Sequence, residues 1–144
     1  MTKQLSPRKW KFDDITVGYR AELSPRNFSE QDIQQFAELS GDRNPLHLSR
    51  TFAKLKNYTK CTVHGILLTT QFSYLVGMII PGEDCLYLAQ DICFRKPIFV
   101  GERFQVVGTV MSKSEATRTL EIKTEIFNSK KELAVNGVAR VKMI

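Results

Sequence analysis

Residues 40 to 47 read SGDRNPLH and put a carboxylate, Asp42, five residues ahead of an imidazole, His47. The chain holds 2 histidines in all. Asn44 and Pro45 lie between the pair. Proline fixes φ and asparagine bonds its own local backbone, so the loop is stiff. A carboxylate and an imidazole on one stiff loop can hold a single water and move protons to and from a bound molecule. Stiffness matters because a misplaced acid or base loses most of its effect. The plain alternative is that Asp42 caps the next turn and that His47 is a satisfied, half-buried histidine.

The elements that must position this pair can be read from periodicity. Residues 15 to 23 read as a short first strand. Phe28-Ser29-Glu30-Gln31-Asp32-Ile33 is a helix start: Ser29 can cap, Asp32 sits at N3, and Phe28 with Ile33 can form a hydrophobic staple. Ile33, Phe36, Ala37 and Leu39 follow at helical spacing. The helix ends at Gly41, directly before the motif. A short helix is expected over 49–56 and a long apolar one over 65–79. The stretch 63–80, VHGILLTTQFSYLVGMII, contains His64, Gln71 and Ser73 and stops at Pro81-Gly82, which favours a buried helix over a membrane span.

Beyond Gly82 the period changes to two. Strands are expected from Leu86 to Phe94, from Arg103 to Met111, over 120–126 and over 133–143, with turns at Pro97–Gly101, Ser112–Ala116 and Asn128–Lys131. Closely spaced strands imply a mostly antiparallel sheet with one apolar face to cover. The apolar helix is the cover, so the layout is α+β, a single domain over 1–144 with 1–14 as an N-terminal extension.

Composition bounds the reading. At 144 residues, 42% hydrophobic and 25% charged, the chain has the make-up of a globular protein with a substantial core. The net charge of +6 suits a phosphate-bearing ligand, but its lysines and arginines are scattered without interleaved aromatics, which argues against nucleic acid. Three cysteines, Cys61, Cys85 and Cys93, show no CxxC spacing. They read as packing residues in a reducing compartment. The N-terminal stretch lacks the apolar core of a signal peptide. A metal site from Asp42, His47 and His64 has no ligand spacing behind it, so no metal and no cofactor are expected.

The motif from Phe36 through Leu39-Ser40-Gly41-Asp42-Arg43-Asn44-Pro45-Leu46-His47 to Ala53 resembles the signature of the MaoC-like (R)-specific enoyl-CoA hydratases. Val63-His64-Gly65-Ile66-Leu67-Leu68 with Phe72-Ser73, and Phe94-Arg95-Lys96-Pro97-Ile98-Phe99-Val100-Gly101-Glu102, are two further matching blocks. The likeness runs from about residue 15 to the C-terminus. Cys61 departs locally, where relatives often carry proline or another small residue. The resemblance implies a hotdog fold, an antiparallel sheet wrapped around a long apolar central helix, and a homodimer joined edge to edge.

It also implies the chemistry. Adding water to an α,β-unsaturated thioester needs a base for the water attacking C3, an acid for C2, and a stabiliser for charge on the thioester oxygen. The resemblance assigns Asp42 and His47 to the first two tasks; which acts first as base is left open. It assigns the third to the backbone N–H of Gly65. The amino end of a helix carries free donors and partial positive charge, and glycine admits a close approach. A side chain at position 65 is therefore expected to obstruct the thioester.

Three further residues are candidates for substrate binding. Asn44 reads as a turn residue that also orients the loop. His64 either supports the helix start or touches substrate. Ser73 either bonds near the catalytic pair or is satisfied inside its own helix.

The implied function is the reversible hydration of trans-2-enoyl thioesters in fatty-acid metabolism, a lyase activity on a CoA or acyl-carrier-protein thioester. A hotdog thioesterase and a non-catalytic acyl-thioester-binding protein are the alternatives. No membrane partner is expected. The expected compartment is the cytoplasm, with the mitochondrial matrix as the alternative in a eukaryote.

Overall fold

The computed structural model describes residues 5–144. Its first long helix starts where local chemistry says it should. Asp32 donates its N–H to Ser29 Oγ (3.2 Å), and the Asp32 carboxylate accepts the Ser29 N–H (2.8 Å), so both halves of the capping box are made. This helix, α1 (Glu30–Ser40), buries Ile33 and Ala37 and stops at Gly41 with φ +81°, a left-handed turn that glycine takes without strain. Leu39 departs from expectation: it is 86% exposed. Six residues past Ile33 at 3.6 residues per turn, it stands about 240° round the helix, off the buried stripe.

Two short helices follow, α2 (Pro45–Leu48) and α3 (Arg50–Leu55). The apolar helix is α4 (Gly65–Tyr74), prolonged by a wider π-type turn, Leu75–Ile79, so the expected span is kept with a change of pitch. Leu67, Leu68, Phe72, Leu75 and Val76 face the core.

The strands are β1 (Arg20–Glu22), β2 (Cys85–Gln90), β3 (Cys93–Phe94), β4 (Gln105–Ser114), β5 (Thr119–Phe127) and β6 (Leu133–Met143). They form one antiparallel sheet in the order β1-β4-β5-β6-β2, with β3 also paired to β6. Val106, Val110, Leu120, Ile122, Ile126, Val135, Ala139 and Val141 join the α4 side chains in one buried cluster. Alternate burial along β5 is the period of two expected for a sheet covered on one face.

Two expected strands are shorter than read. Of 15–23 the regular strand is Arg20–Glu22, flanked by the Gly18 N–H to Val110 and Leu23 N–H to Val106 carbonyl bonds, while the Tyr19 N–H turns back to the Thr16 carbonyl. The Leu86–Phe94 strand is two strands broken at Asp91 and Ile92. The expected turn after residue 111 falls later, because β4 continues to Ser114. Residues 8–14, expected as an extension, are docked in part: the Arg8 N–H donates to the Met78 carbonyl (2.9 Å), Trp10 Nε1–H donates to the Ile79 carbonyl (2.9 Å), and Phe12 is buried.

Candidate active site

The loop between α1 and α2 carries Asp42. Its own N–H donates to Ser40 Oγ (3.1 Å), and its Oδ1 accepts the Asn44 N–H (3.1 Å). Asn44 Oδ1 in turn accepts the Leu46 N–H (2.9 Å), capping α2, with Pro45 as its first residue. Asp42 thus does have a turn-stabilising role, on one carboxylate oxygen, and its side chain is exposed. Asn44 is a turn residue whose oxygen is already engaged.

His47 is the last-turn residue of α2. Its Nδ1 lies 2.7 Å from the Thr62 carbonyl and 3.2 Å from Thr62 Oγ1. A carbonyl only accepts, so Nδ1 carries the proton and Nε2 keeps a bare lone pair. An imidazole held this way is oriented as a proton acceptor.

His64 stands immediately before α4 and is 1% exposed. Its ring stacks on His47 at 3.9 Å between centroids and takes the edge of Phe36 at 4.8 Å. Its Nε2–H donates to the Asp42 carbonyl (3.0 Å), while its Nδ1 is buried without a partner among the described residues. His64 therefore binds the Asp42 loop to the helix start. Asp42, His47 and His64 come together with one ligand-capable atom each, all within 4.8 Å of one another, although the sequence spacing showed no such cluster. One nitrogen of each ring is already committed to a main-chain carbonyl.

Burial lowers the pKa of His64 from its usual 6.5, and the neighbouring His47 pushes it the same way. The folded value lies below the unfolded one, so at mildly acid pH the unfolded chain binds more protons. Stability is then lost as pH falls through about 6.5. Thermal unfolding from pH 8 to 5 should show this decline, and His64→Gln, which keeps a donor for Asp42, should flatten it. Equal declines in both would remove His64 as the cause.

α4 begins without a side-chain cap, and its first bond runs from the Leu68 N–H to the His64 carbonyl. The N–H groups of Gly65, Ile66 and Leu67 precede that ladder, leaving donors free beside the stacked histidines. A Cβ added at Gly65 would lie 2.7 Å from Phe94 Cε1, so a side chain there meets Phe94 before any substrate. Ser73 is exposed on α4, and its hydroxyl forms no hydrogen bond among the described residues. Thr69 and Thr70 are the hydroxyls satisfied inside the helix, by the Ile66 and Leu67 carbonyls.

The sequence reading missed Thr62, whose main-chain carbonyl sets the His47 tautomer. It also missed the contacts of Phe36 with His64 and Phe94 with Gly65. No residue-type signal marks a carbonyl as a partner. Phe94 did lie in a block singled out for its likeness to known proteins.

The antiparallel sheet with the apolar helix packed on it is a hotdog fold, and the acid–imidazole loop lies at that helix's start. The chain belongs to the MaoC-like domain family, whose model matches residues 13–131. It is 39% identical over 129 residues to an (R)-specific enoyl-CoA hydratase of Aeromonas caviae, covering 90% of this chain and 96% of that one. It is 30% identical over 114 residues to a mitochondrial 3-hydroxyacyl-[acyl-carrier-protein] dehydratase of Arabidopsis thaliana, covering 76% and 66%. The solved (R)-hydratase of A. caviae superposes with a TM-score of 0.88 at 37% identity, covering 91% of this chain and 98% of the other.

Proposed function

We propose that the protein is a hydro-lyase that adds water reversibly to trans-2-enoyl thioesters, giving (R)-3-hydroxyacyl thioesters. The observation that carries the reading is the pairing of Asp42 with an imidazole whose Nδ1–H is held by the Thr62 carbonyl, beside uncapped donors at Gly65. A water between the Asp42 carboxylate and His47 Nε2 donates one hydrogen to each. Its oxygen attacks C3, one partner takes a proton, and the pair returns a proton to C2. The electron pair displaced from the double bond passes to the thioester oxygen, where the Gly65 N–H stabilises it. No electrons leave the substrate, so this scheme calls for no redox cofactor.

A cavity of about 530 Å³ is lined by His47 together with Lys54, Lys60 and the Glu30-paired Arg50. These cations suit the phosphates of a phosphopantetheine thioester, whether on CoA or on an acyl carrier protein. Crotonyl-CoA, longer 2-enoyl-CoAs and an enoyl acyl carrier protein should be offered separately. Loss of the conjugated-thioester absorbance is the expected result. Release of free thiol instead would favour hydrolysis and overturn the hydratase reading. The free cysteines suit a reducing compartment, the cytoplasm or the mitochondrial matrix. Among the described residues no helix is long and apolar enough to cross a membrane.

The partner at the sheet edge is a second copy. β2 pairs on one side only, and it exposes Leu86 (53%) and Leu88 (47%). An open edge with apolar residues is normally paired or covered. Light scattering is expected to give a dimer, and Leu86→Lys with Leu88→Lys a monomer. A wild-type monomer at micromolar concentration would contradict the edge-to-edge arrangement.

A further inference from the structure

Phe94 is half exposed, at 51%, yet it is not a loose surface residue. Its strand pairs with β6, Cys93 opposite Asn136 and Phe94 opposite Val135. The next residue is tied twice: the Arg95 N–H to the Ala134 carbonyl (2.7 Å), and Arg95 Nε to Asn136 Oδ1 (2.9 Å). The sheet therefore sets where the ring goes. It lies against Gly65: an added Cβ would stand 2.7, 3.0 and 3.1 Å from Cε1, Cζ and Cδ1, in the space the ring already occupies. A rigidly held aromatic thus covers one flank of the helix start whose first N–H groups have no cap.

We propose that Phe94 is a positioning residue of the reaction, the apolar wall of the thioester slot. The inference rests on the hydratase reading. The ring fills the side of Gly65 from which water would otherwise reach the donor. Its solvent-exposed face is the surface against which a flat, conjugated enoyl thioester would lie. Excluding water strengthens the hydrogen bond to the thioester oxygen as charge develops there, because the local dielectric falls. It also explains the glycine at 65 without reference to substrate: any side chain there must displace the ring.

The test is a double-mutant cycle at Gly65 and Phe94, reading both thermal unfolding and kcat with an enoyl-CoA. Phe94→Ala should stay folded, since the ring is half in solvent, and lose at least about tenfold in kcat through lost positioning. Phe94→Tyr, which keeps the ring, should recover most of the kcat that Phe94→Ala loses; a purely structural aromatic would lose unfolding temperature and kcat together in Phe94→Ala. Gly65→Ala should lower the unfolding temperature in the wild-type background and leave it unchanged in the Phe94→Ala background, where the ring is gone.

Wild-type kcat in Phe94→Ala would overturn the wall, as would an equal Gly65→Ala penalty in both backgrounds. If Phe94→Ala does not fold, Phe94→Leu replaces it: folded with low kcat supports the wall, and folded with wild-type kcat overturns it. Failure of the wall is seen against an active wild type. A wild type that hydrates neither enoyl-CoA nor enoyl acyl carrier protein sinks the hydratase reading itself, and the wall with it.

Discussion

Asp42→Ala and His47→Ala are each expected to lower kcat by roughly 10²–10⁴-fold, the usual worth of a positioned general acid or base. The reason is local. In the proposed mechanism one water sits between the Asp42 carboxylate and His47 Nε2, and removing either partner leaves it unaimed. The double variant should therefore lose little more than the worse single one, because the two act as a unit. Neither change should unfold the protein. The Asp42 side chain is exposed and gives the fold only a turn bond to the Asn44 N–H, and its main-chain bonds to His64 and Ser40 are kept in the alanine variant. His47→Ala gives up the bond to Thr62 and the stack on His64, which costs stability but removes no main-chain cap. His47→Gln tests the tautomer argument separately: an amide can donate to the Thr62 carbonyl but offers no basic nitrogen. Full activity in either alanine variant, with native circular dichroism, would sink the mechanism.

The parts of this molecule that were legible in its sequence are those whose partners lie close along the chain. Ser29 and Asp32 are three residues apart, and their capping box is made as read. Gly41 ends α1 through its own backbone angle. Asp42, Asn44, Pro45 and His47 lie within six consecutive residues, so the acid–imidazole loop is legible as a unit in the sequence. What could not be read depends on distant main chain. Thr62 lies fifteen residues from His47 and acts through a carbonyl that every residue possesses. His64 could be placed at a helix start, but its stack on His47 needs the fold of 43–63 to bring the rings together. Leu39 shows the opposite error: a residue of the right type beside the right spacing, yet on the wrong face. Ser73 has two sequence readings, a bond near the acid–imidazole pair or a hydroxyl satisfied inside its own helix, and among the described residues its hydroxyl makes neither bond.

Gly137 is expected to be the most sensitive small residue in the sheet. It looked like one more inward position in the alternation of Leu133, Val135, Ala139 and Val141, and it is indeed buried. Its neighbour across the ladder is Thr124, whose hydroxyl accepts from Gln90 Nε2 at 3.0 Å. The other side is occupied by Asp91. A Cβ on Gly137 would stand 1.9 Å from the Asp91 carbonyl oxygen and 2.8 Å from its carbon, both main chain. Asp91 cannot step aside cheaply. Its N–H donates to the Val138 carbonyl (3.2 Å) and its Oδ1 accepts the Val138 N–H (2.9 Å). Here the strand breaks between β2 and β3, and the glycine admits the close approach of two backbones that accompanies the interruption. Gly137→Ala should therefore cost about 3 kcal/mol, at the upper end for overpacking. At roughly 2–4 °C per kcal/mol for a chain of about this size, the unfolding temperature should fall by roughly 6–12 °C. Because Asp91 leads into the strand that carries Phe94, kcat should fall as well, at temperatures where the variant is still folded. Gly101→Ala, at an open turn where an added Cβ meets nothing within 4 Å but φ is +84°, serves as the control and should lose less. A loss at Gly137 no larger than that at Gly101 would show that the two backbones separate cheaply and that the approach of Asp91 does not govern the position.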